Sequence, residues 1–318
     1  MISLSVIVPF YNVEAYAAQT IRSLRHNASA GTEFLLVEDG STDATLQIVR
    51  SHGERLPGAR VISDGTNRGL AAARNRGLDS ARGRYVTFLD GDDFLSAGYY
   101  PQLLATIERL GCELVRTDHV QVRGRERSVH RINHGPRRVV TSPRQAILPV
   151  DRVTSVDAPH AWAGIYHRRL VDAGLLYFDE GLRTCEDRPW NWRLHLQARS
   201  FAVVGLLGVH YRRDVATSLT RVVDERQFDF LAAFDQIVEL VQQDRDHDAL
   251  LPKALRSYCA MVLHHLNQRH RYEPALATRL HQLCVQALRR LPEEPLRRAR
   301  AGLEPARDAR LTALLAAA

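Results

Sequence analysis

An α/β fold with a mostly parallel central sheet, followed by an α-helical C-terminal region, is what this 318-residue sequence predicts. Three observations carry that prediction. Apolar strand-like runs alternate with helical patterns four times within about the first ninety residues, the pattern of a parallel sheet covered by helices. Two of those runs end in acids, Glu38-Asp39 and Asp90-Gly91-Asp92-Asp93, and open α/β sheets bind ligands at the carboxyl ends of their strands. From Asp224 onward the strand-like runs cease, and amphipathic stretches punctuated by proline replace them.

Taken in order, residues 4–9 (LSVIVP) form a β-branched apolar run predicted to be a strand that stops at Pro9. Residues 15–24 follow with helical periodicity. Residues 32–37 (TEFLLV) are a second buried strand, after which Gly40 turns and Ser41 or Asp43 caps a helix over 44–51. A short strand at 60–63 leads through the polar turn 66–69 into an Ala-rich helix over 70–81. The run 85–89 (YVTFL) between Gly83 and Asp90 reads as a fully covered parallel strand. Next come a helix at 97–110, one strand over 112–122, and a basic hairpin or flexible insertion over 124–140. A helical piece begins at 143, a small-residue apolar run spans 161–166, and a short helix covers 167–173. Pro189 suits the first turn of a helix, which places Asp187 at a helix N-terminus with an acid capping that start. A single strand over 203–211 and a polar loop with Thr217 and Ser218 complete the first unit. Four helices are predicted after it, over 228–242, 252–269, 274–290 and 295–315. The domain boundary is placed near residue 222, giving units 1–222 and 223–318.

Composition narrows the function classes. The hydrophobic fraction of 45% and charged fraction of 25% are those of an ordinary soluble protein. No apolar run reaches the roughly 18 residues of a transmembrane helix, and the N-terminus lacks the basic start of a signal peptide. The four cysteines have no metal-ligand spacing, so a reduced, cytoplasmic setting is expected. The net charge of +7 points to an anionic partner, yet no nucleic-acid motif accompanies it. Asp90, Asp92 and Asp93 repel one another unless a cation or proton compensates, which suggests a divalent-metal and phosphate site. Asp and Gly are also ordinary turn residues, so the cluster by itself leaves a polar turn open.

The ordered set VIVPFYN (6–12), EDGSTD (38–43), NRGLAAARNRG (67–77), DGDD (90–93) and Glu186-Asp187 resembles the family 2 glycosyltransferases over roughly residues 1–222. That resemblance implies a GT-A fold, a nucleotide-sugar donor such as a UDP-sugar, a divalent Mn²⁺ or Mg²⁺, and an inverting mechanism. Residue by residue, it puts Pro9, Tyr11 and Asn12 beside the nucleotide base and Asp39 on the base or ribose. Arg74 would reach the base or diphosphate. Asp90 and Asp92 form the DxD, and one of Asp92 and Asp93 ligates the metal. Asp187 is the general base, with Glu186 orienting it or binding acceptor. His210 ends a late strand from which it could approach the phosphates or metal, and it is taken with Arg212 and Ser218 of the following loop, which closes over the donor in related enzymes.

Processive members of the family carry a QxxRW motif and membrane helices; this sequence has neither, so transfer of one sugar per encounter is expected. The expected acceptor is a cell-surface glycan or an anionic wall polymer of teichoic-acid type. Arg289-Arg290 and Arg297-Arg298-Arg300 suit such a polymer or peripheral docking at the inner face of the membrane, and the helical unit leaves room for homo-oligomerisation. Trp190 and Trp192 are weighed between acceptor stacking and core, with core favoured. Three other readings are weighed. A nucleotidyltransferase would need a Gly-rich triphosphate loop, which the sequence lacks. A basic nucleic-acid-binding protein would need salt-sensitive binding without sugar turnover. A non-catalytic scaffold would not need the intact acids.

Overall fold

The computed structural model describes residues 1–215 and 219–316. Among the described residues eleven strands and eleven α-helices form two sheets and a helical layer. The first four strands are β1 (Leu4–Phe10), β2 (Thr32–Glu38), β3 (Ala59–Ile62) and β4 (Tyr85–Phe88). Helices α1 (Glu14–Arg25), α2 (Thr45–Gly53) and α3 (Leu70–Ser80) connect them. β1 pairs in parallel with β2 and β4, and β2 with β3. Every residue of β1 and β2 is buried, which is why both read as unbroken apolar runs rather than alternating ones.

β1 does not stop at Pro9. It runs on to Phe10, because the odd-numbered residues face β4 and β4 has already ended at Phe88, opposite Ile7. The missing N–H of Pro9 therefore costs no ladder bond. Asp43 does support α2, although from one residue before its N-cap: its Oδ1 accepts from the Thr45 amide at 2.9 Å.

Two predicted strands each split in two. Residues 112–122 become β6 (Leu114–Thr117) and β7 (His119–Arg123), and 203–211 becomes β10 (Phe201–Val204) and β11 (Val209–Arg212). Each pair breaks so that its first half joins the large sheet and its second half a small one. With β5 (Phe94–Leu95), β8 (Glu126–His130) and β9 (Gly164–His167), the orders are β10-β6-β9-β4-β1-β2-β3 and β5-β11-β7-β8. In the large sheet only β9 is antiparallel to its neighbours. The basic insertion is thus the β7–β8 hairpin plus a connecting segment.

Helices α4 (Tyr99–Leu110), α5 (Arg169–Asp172) and α6 (Asp187–Gln197) complete the sheet unit. Trp190 on α6 stacks on Phe178 with centroids 5.1 Å apart and donates its Nε1–H to the Leu176 carbonyl. It belongs to the main core, and Trp192 to a second one, so neither ring is open to an acceptor. Removing a buried Trp side chain of this kind costs about 3–5 kcal/mol.

Five helices follow where four were predicted: α7 (Asp229–Gln242), α8 (His247–Asn267), α9 (Pro274–Arg290), α10 (Glu293–Arg300) and α11 (Pro305–Ala316). Gly302, at φ +77°, separates the last two. Pro252 does not start α8 but sits inside it. It offers no N–H to the Asp248 carbonyl four residues back, and Arg298 Nη1 donates to that carbonyl instead, at 3.0 Å. The second core joins these helices to Ile147, Val156, Trp192 and Leu196. Among the described residues no helix is long and apolar enough to cross a membrane.

Candidate active site

A cleft of about 1840 Å³ opens at the carboxyl ends of β1, β2 and β4 and is bounded on another side by α8 and α11. Pro9, Tyr11, Asn12, Asp39, Arg74, Asp90, Asp92, Glu186 and Asp187 all border it. The fold thereby brings predicted residues from Pro9 to Asp187 to one place. Asp93, His210 and Arg212 do not border it, and Ser218 lies outside the described residues.

The turn after β4 is packed tightly against β1. A Cβ on Gly91 would stand 2.6 Å from the Pro9 carbonyl oxygen and 2.7 Å from the Phe10 ring, so only glycine fits. The Thr20 hydroxyl sits between the carbonyl oxygens of Gly91 and Asp93, at 2.9 and 2.6 Å. In this turn the neighbouring acids face opposite ways. Asp92 borders the cleft. Asp93 is fully buried and accepts from the Arg212 amide at 2.7 Å, while its other oxygen has no partner among the described residues. Burial, reinforced by Asp92 and Asp90, raises the Asp93 carboxyl well above the usual range. Asp93 is therefore placed as a support of the turn and not as a ligand facing the cleft.

Arg212 holds the same turn from behind. Its Nη1 donates to the Asp92 carbonyl and its Nη2 to Gln19 Oε1, and it lies over the Phe94 ring at 4.6 Å. His210 stacks on Phe94 at 4.6 Å and meets the Ser96 hydroxyl at 2.9 Å. Both point away from the cleft because side chains alternate along β11, and their neighbours Tyr211 and Arg213 border it instead. Alternation along this strand is legible in the sequence, but which of its faces meets the cleft is not.

Arg74 is also turned to a different task from the one expected. It is 3% exposed, and its Nη1 donates to Glu186 Oε1 at 2.7 Å while Nη2 donates to Asp90 Oδ1 at 2.9 Å. A guanidinium committed to two carboxylates is a clamp between the DGDD turn and the start of α6, not a free hand for the base or diphosphate. Asp39 is buried too. Its carboxylate accepts from the Arg68 amide, and from the Gly69 amide at 2.8 Å, which pins the loop leading into α3. Gly40, at φ +69°, allows that loop to come close: a Cβ there would lie 2.5 Å from the Asn67 amide nitrogen. Asn12 Oδ1 accepts from the Thr42 amide at 2.8 Å, so its side chain braces the loop after β2. Tyr11 is 45% exposed and offers an open ring.

Asp187 opens α6, as expected, but Glu186 at the N-cap makes no capping hydrogen bond. Its carboxylate is drawn to Arg74 instead. Asp187 borders the cleft, is partly exposed, and accepts no hydrogen bond among the described residues. Burial lifts its carboxyl above the usual range, opposed by the Arg188 and Arg74 charges. Burial likewise lifts Glu186 to about 7 against the pull of Arg74. Arg188, which sequence reasoning passed over, borders the cleft beside Asp187.

A divalent cation fits the donor set at the DGDD turn. Burial, with the charge of Asp90 added, lifts Asp92 to about 7, so this carboxylate favours a proton or cation beside it. Among the described residues no group of three or more His, Cys, Asp or Glu is arranged to hold a metal by itself. Mg²⁺ and Mn²⁺ on a diphosphate need only about one or two carboxylates, which is what the turn presents.

Against known proteins, residues 5–171 match the family model for glycosyl transferase family 2. The uncharacterized glycosyltransferase EpsJ of Bacillus subtilis (strain 168) is 30% identical over 218 residues, 69% of this chain and 63% of that protein. The poly(ribitol-phosphate) beta-N-acetylglucosaminyltransferase TarS of Staphylococcus aureus (strain Mu50) is 30% identical over 216 residues, 66% of this chain and 35% of TarS. The chain thus spans less than two thirds of the length of either relative. A crystal structure of S. aureus TarS 1-349 in complex with UDP-GlcNAc superposes with a TM-score of 0.75 at 20% identity, covering 98% of this chain and 87% of that one. This likeness shows the fold, a GT-A arrangement with a helical C-terminal region. On these grounds the chain belongs to glycosyl transferase family 2.

Proposed function

We propose that this protein is an inverting, metal-dependent glycosyltransferase. It moves one sugar from a nucleotide sugar, a UDP-sugar, to a cell-surface glycan or wall-polymer acceptor. The observation that carries the reading is the pairing of Asp92 and Asp187, two carboxylates facing one cleft, held in register by the buried Arg74 clamp. The names of the relatives support the donor and acceptor class: TarS is named for an N-acetylglucosaminyl transfer to poly(ribitol phosphate), and its crystal structure holds UDP-GlcNAc.

In this reading Tyr11 and Asp39 border the nucleotide, and Asp92, with Asp90 beside it, would hold the cation. When bound, the cation supplies neutralisation of the charge that develops on the leaving diphosphate. Asp187 takes the proton of the attacking acceptor hydroxyl, on the face of the sugar opposite the leaving group. Its place at the first position of α6 and the nearby Arg188 and Arg74 keep it able to ionise despite burial. Glu186, held by Arg74, sets the start of the helix that carries it. Residues 1–222 form the catalytic unit, and 223–318 supply the far wall of the cleft.

Calorimetry with UDP and a panel of UDP-sugars, with and without Mn²⁺, tests this. The expected result is nucleotide binding that strengthens with Mn²⁺; absence of binding by any nucleoside diphosphate or nucleotide sugar would falsify the reading.

A further inference from the structure

One wall of the cleft carries rings that the chemistry above leaves unused. His160, in the segment before β9, lies flat on Trp162 with centroids 4.7 Å apart and planes 8° from parallel. Tyr211 of β11 leans against both, 5.7 Å from His160 and 5.1 Å from Trp162. All three border the cleft. Trp162 is 3% exposed, so it backs the wall, and the partly exposed His160 and Tyr211 are the rings with surface to offer.

The polar atoms of this wall are underused. The His160 imidazole makes no hydrogen bond among the described residues and is not fully enclosed. Behind it His119 stands edge-on, 5.4 Å from His160 and 4.9 Å from Trp162, with both ring nitrogens buried and without a partner among the described residues. Burial, with His119 and Arg116 close by, holds His160 well below the usual imidazole range. It is therefore neutral, with one nitrogen donating and the other accepting.

The wall is also tied to Asp187. Arg116 is fully buried and forms no ion pair with a carboxylate among the described residues. Its Nη2 donates to the carbonyls of Ala158 at 2.7 Å and His160 at 3.1 Å. Its Nη1 donates to Asn191 Oδ1 at 3.3 Å, one turn along α6 from Asp187. One guanidinium thus fixes the His160 segment to the helix that begins with the proposed base. At the rim, Arg213 donates to the Tyr211 hydroxyl at 2.9 Å and sets the ring's orientation.

We infer that His160, Trp162 and Tyr211 form the acceptor subsite, and that its occupant is a pyranose ring of the acceptor. The inference rests on the glycosyl-transfer reading above and names the chemistry that reading leaves open. A pyranose presents an apolar C–H face that suits an aromatic wall and a rim of hydroxyls that need donors and acceptors in one plane. Neutral His160 supplies one of each. Its fixed relation to α6 leaves a hydroxyl of the bound ring beside Asp187.

Saturation-transfer NMR on the full chain with UDP and Mn²⁺ tests the subsite. The probes are the methyl β-glycosides of glucose, galactose and N-acetylglucosamine, with ribitol 5-phosphate as a ring-free anionic control. At least one pyranoside is expected to bind, and His160→Ala and Tyr211→Ala each to weaken it about tenfold. UDP affinity by calorimetry stays unchanged in both variants, which also shows that they are folded. Binding of ribitol 5-phosphate alone, or pyranoside binding indifferent to both substitutions, overturns the subsite. Silence from every pyranoside while UDP still binds overturns it as well and leaves the transferase reading standing. Loss of UDP binding in the unaltered protein removes both.

Discussion

The two acidic pairs of the cleft, Asp92-Asp93 after β4 and Glu186-Asp187 at the start of α6, solve the same problem in two ways. In each pair one carboxylate is buried and turned to a partner within the protein, and the other is the more exposed of the two at the cleft. At the DGDD turn the inward acid is the second, Asp93, received by a backbone amide of β11, and one of its oxygens has no partner among the described residues. At α6 the inward acid is the first, Glu186, received by the Arg74 guanidinium. The difference teaches what each outward acid is fitted for. Asp92 stands beside Asp90 and, among the described residues, no cation is paired with its carboxylate, Arg212 near it donating to its backbone carbonyl instead, which leaves room for a bound cation. Asp187 is also raised by burial, but it stands at a helix N-terminus with Arg188 and Arg74 near, and these charges of the protein oppose that rise without any metal.

The sharpest way to break that contrast is Asp187→Asn. Transfer falls by about 10²–10⁴ while UDP binding with Mn²⁺ persists, measured by single-turnover assay and calorimetry. A turnover rate that survives the substitution leaves Asp187 with nothing but its place at the helix start. Asp92→Asn separates the pair in the opposite sense: the Mn²⁺-dependent part of UDP affinity disappears, and with it most of the rate.

Arg74→Met removes the shared clamp. Loss of a buried partner for carboxylates costs about 3–5 kcal/mol, read as a lower denaturation midpoint in urea. Full stability in this variant contradicts the clamp. The contrast also predicts a pH dependence. Asp92 is lifted from 3.8 to about 7 in the fold, so it holds its proton more tightly there than in the unfolded chain. Its ionisation therefore costs stability as pH rises from 3.8 through about 7, and a cation at Asp92 must displace that proton. The rise in Tm given by Mn²⁺ with UDP is expected to grow across that window and level off above it. An increment flat with pH removes Asp92 as the ligand. The smallest effect belongs to Asp93→Asn. The amide keeps an acceptor for the Arg212 N–H in place of a carboxyl that burial already disfavours as an anion, so activity and Tm change little. A loss as large as that of Asp92→Asn reverses the assignment of the two acids.

How much of this was legible in the sequence varies with the kind of residue. Buried parallel strands announce themselves because both faces are covered, and β1, β2 and β4 lie within a residue or so of the predicted runs. The two strands that change sheets did not, because the breaks fall at Asp118 and between Gly205 and Gly208, and a polar residue or a glycine within a strand pattern signals a bulge as readily as a change of sheet. The acids were found as a set through motif order. The ring wall of His160, Trp162 and Tyr211 left no such trace, since its members come from separate segments with no shared spacing.

By itself the sequence determined the fold class, the family and the strand ends and helix start at which the acids lie. Those features are local: an apolar run, a turn residue, an acid, a proline in a first turn. Only the tertiary structure decided which acid of each adjacent pair is buried against a partner, that Arg74 is committed to two carboxylates, and that Tyr211 of β11 and Arg213 just after it border the site rather than His210 and Arg212. The physical reason is that period-2 alternation and neighbouring turn residues define two faces without naming either. Which face is inward depends on what packs there, and that comes from residues a hundred or more positions away in the chain: the β11 amide that receives Asp93 and the α3 guanidinium that receives Glu186.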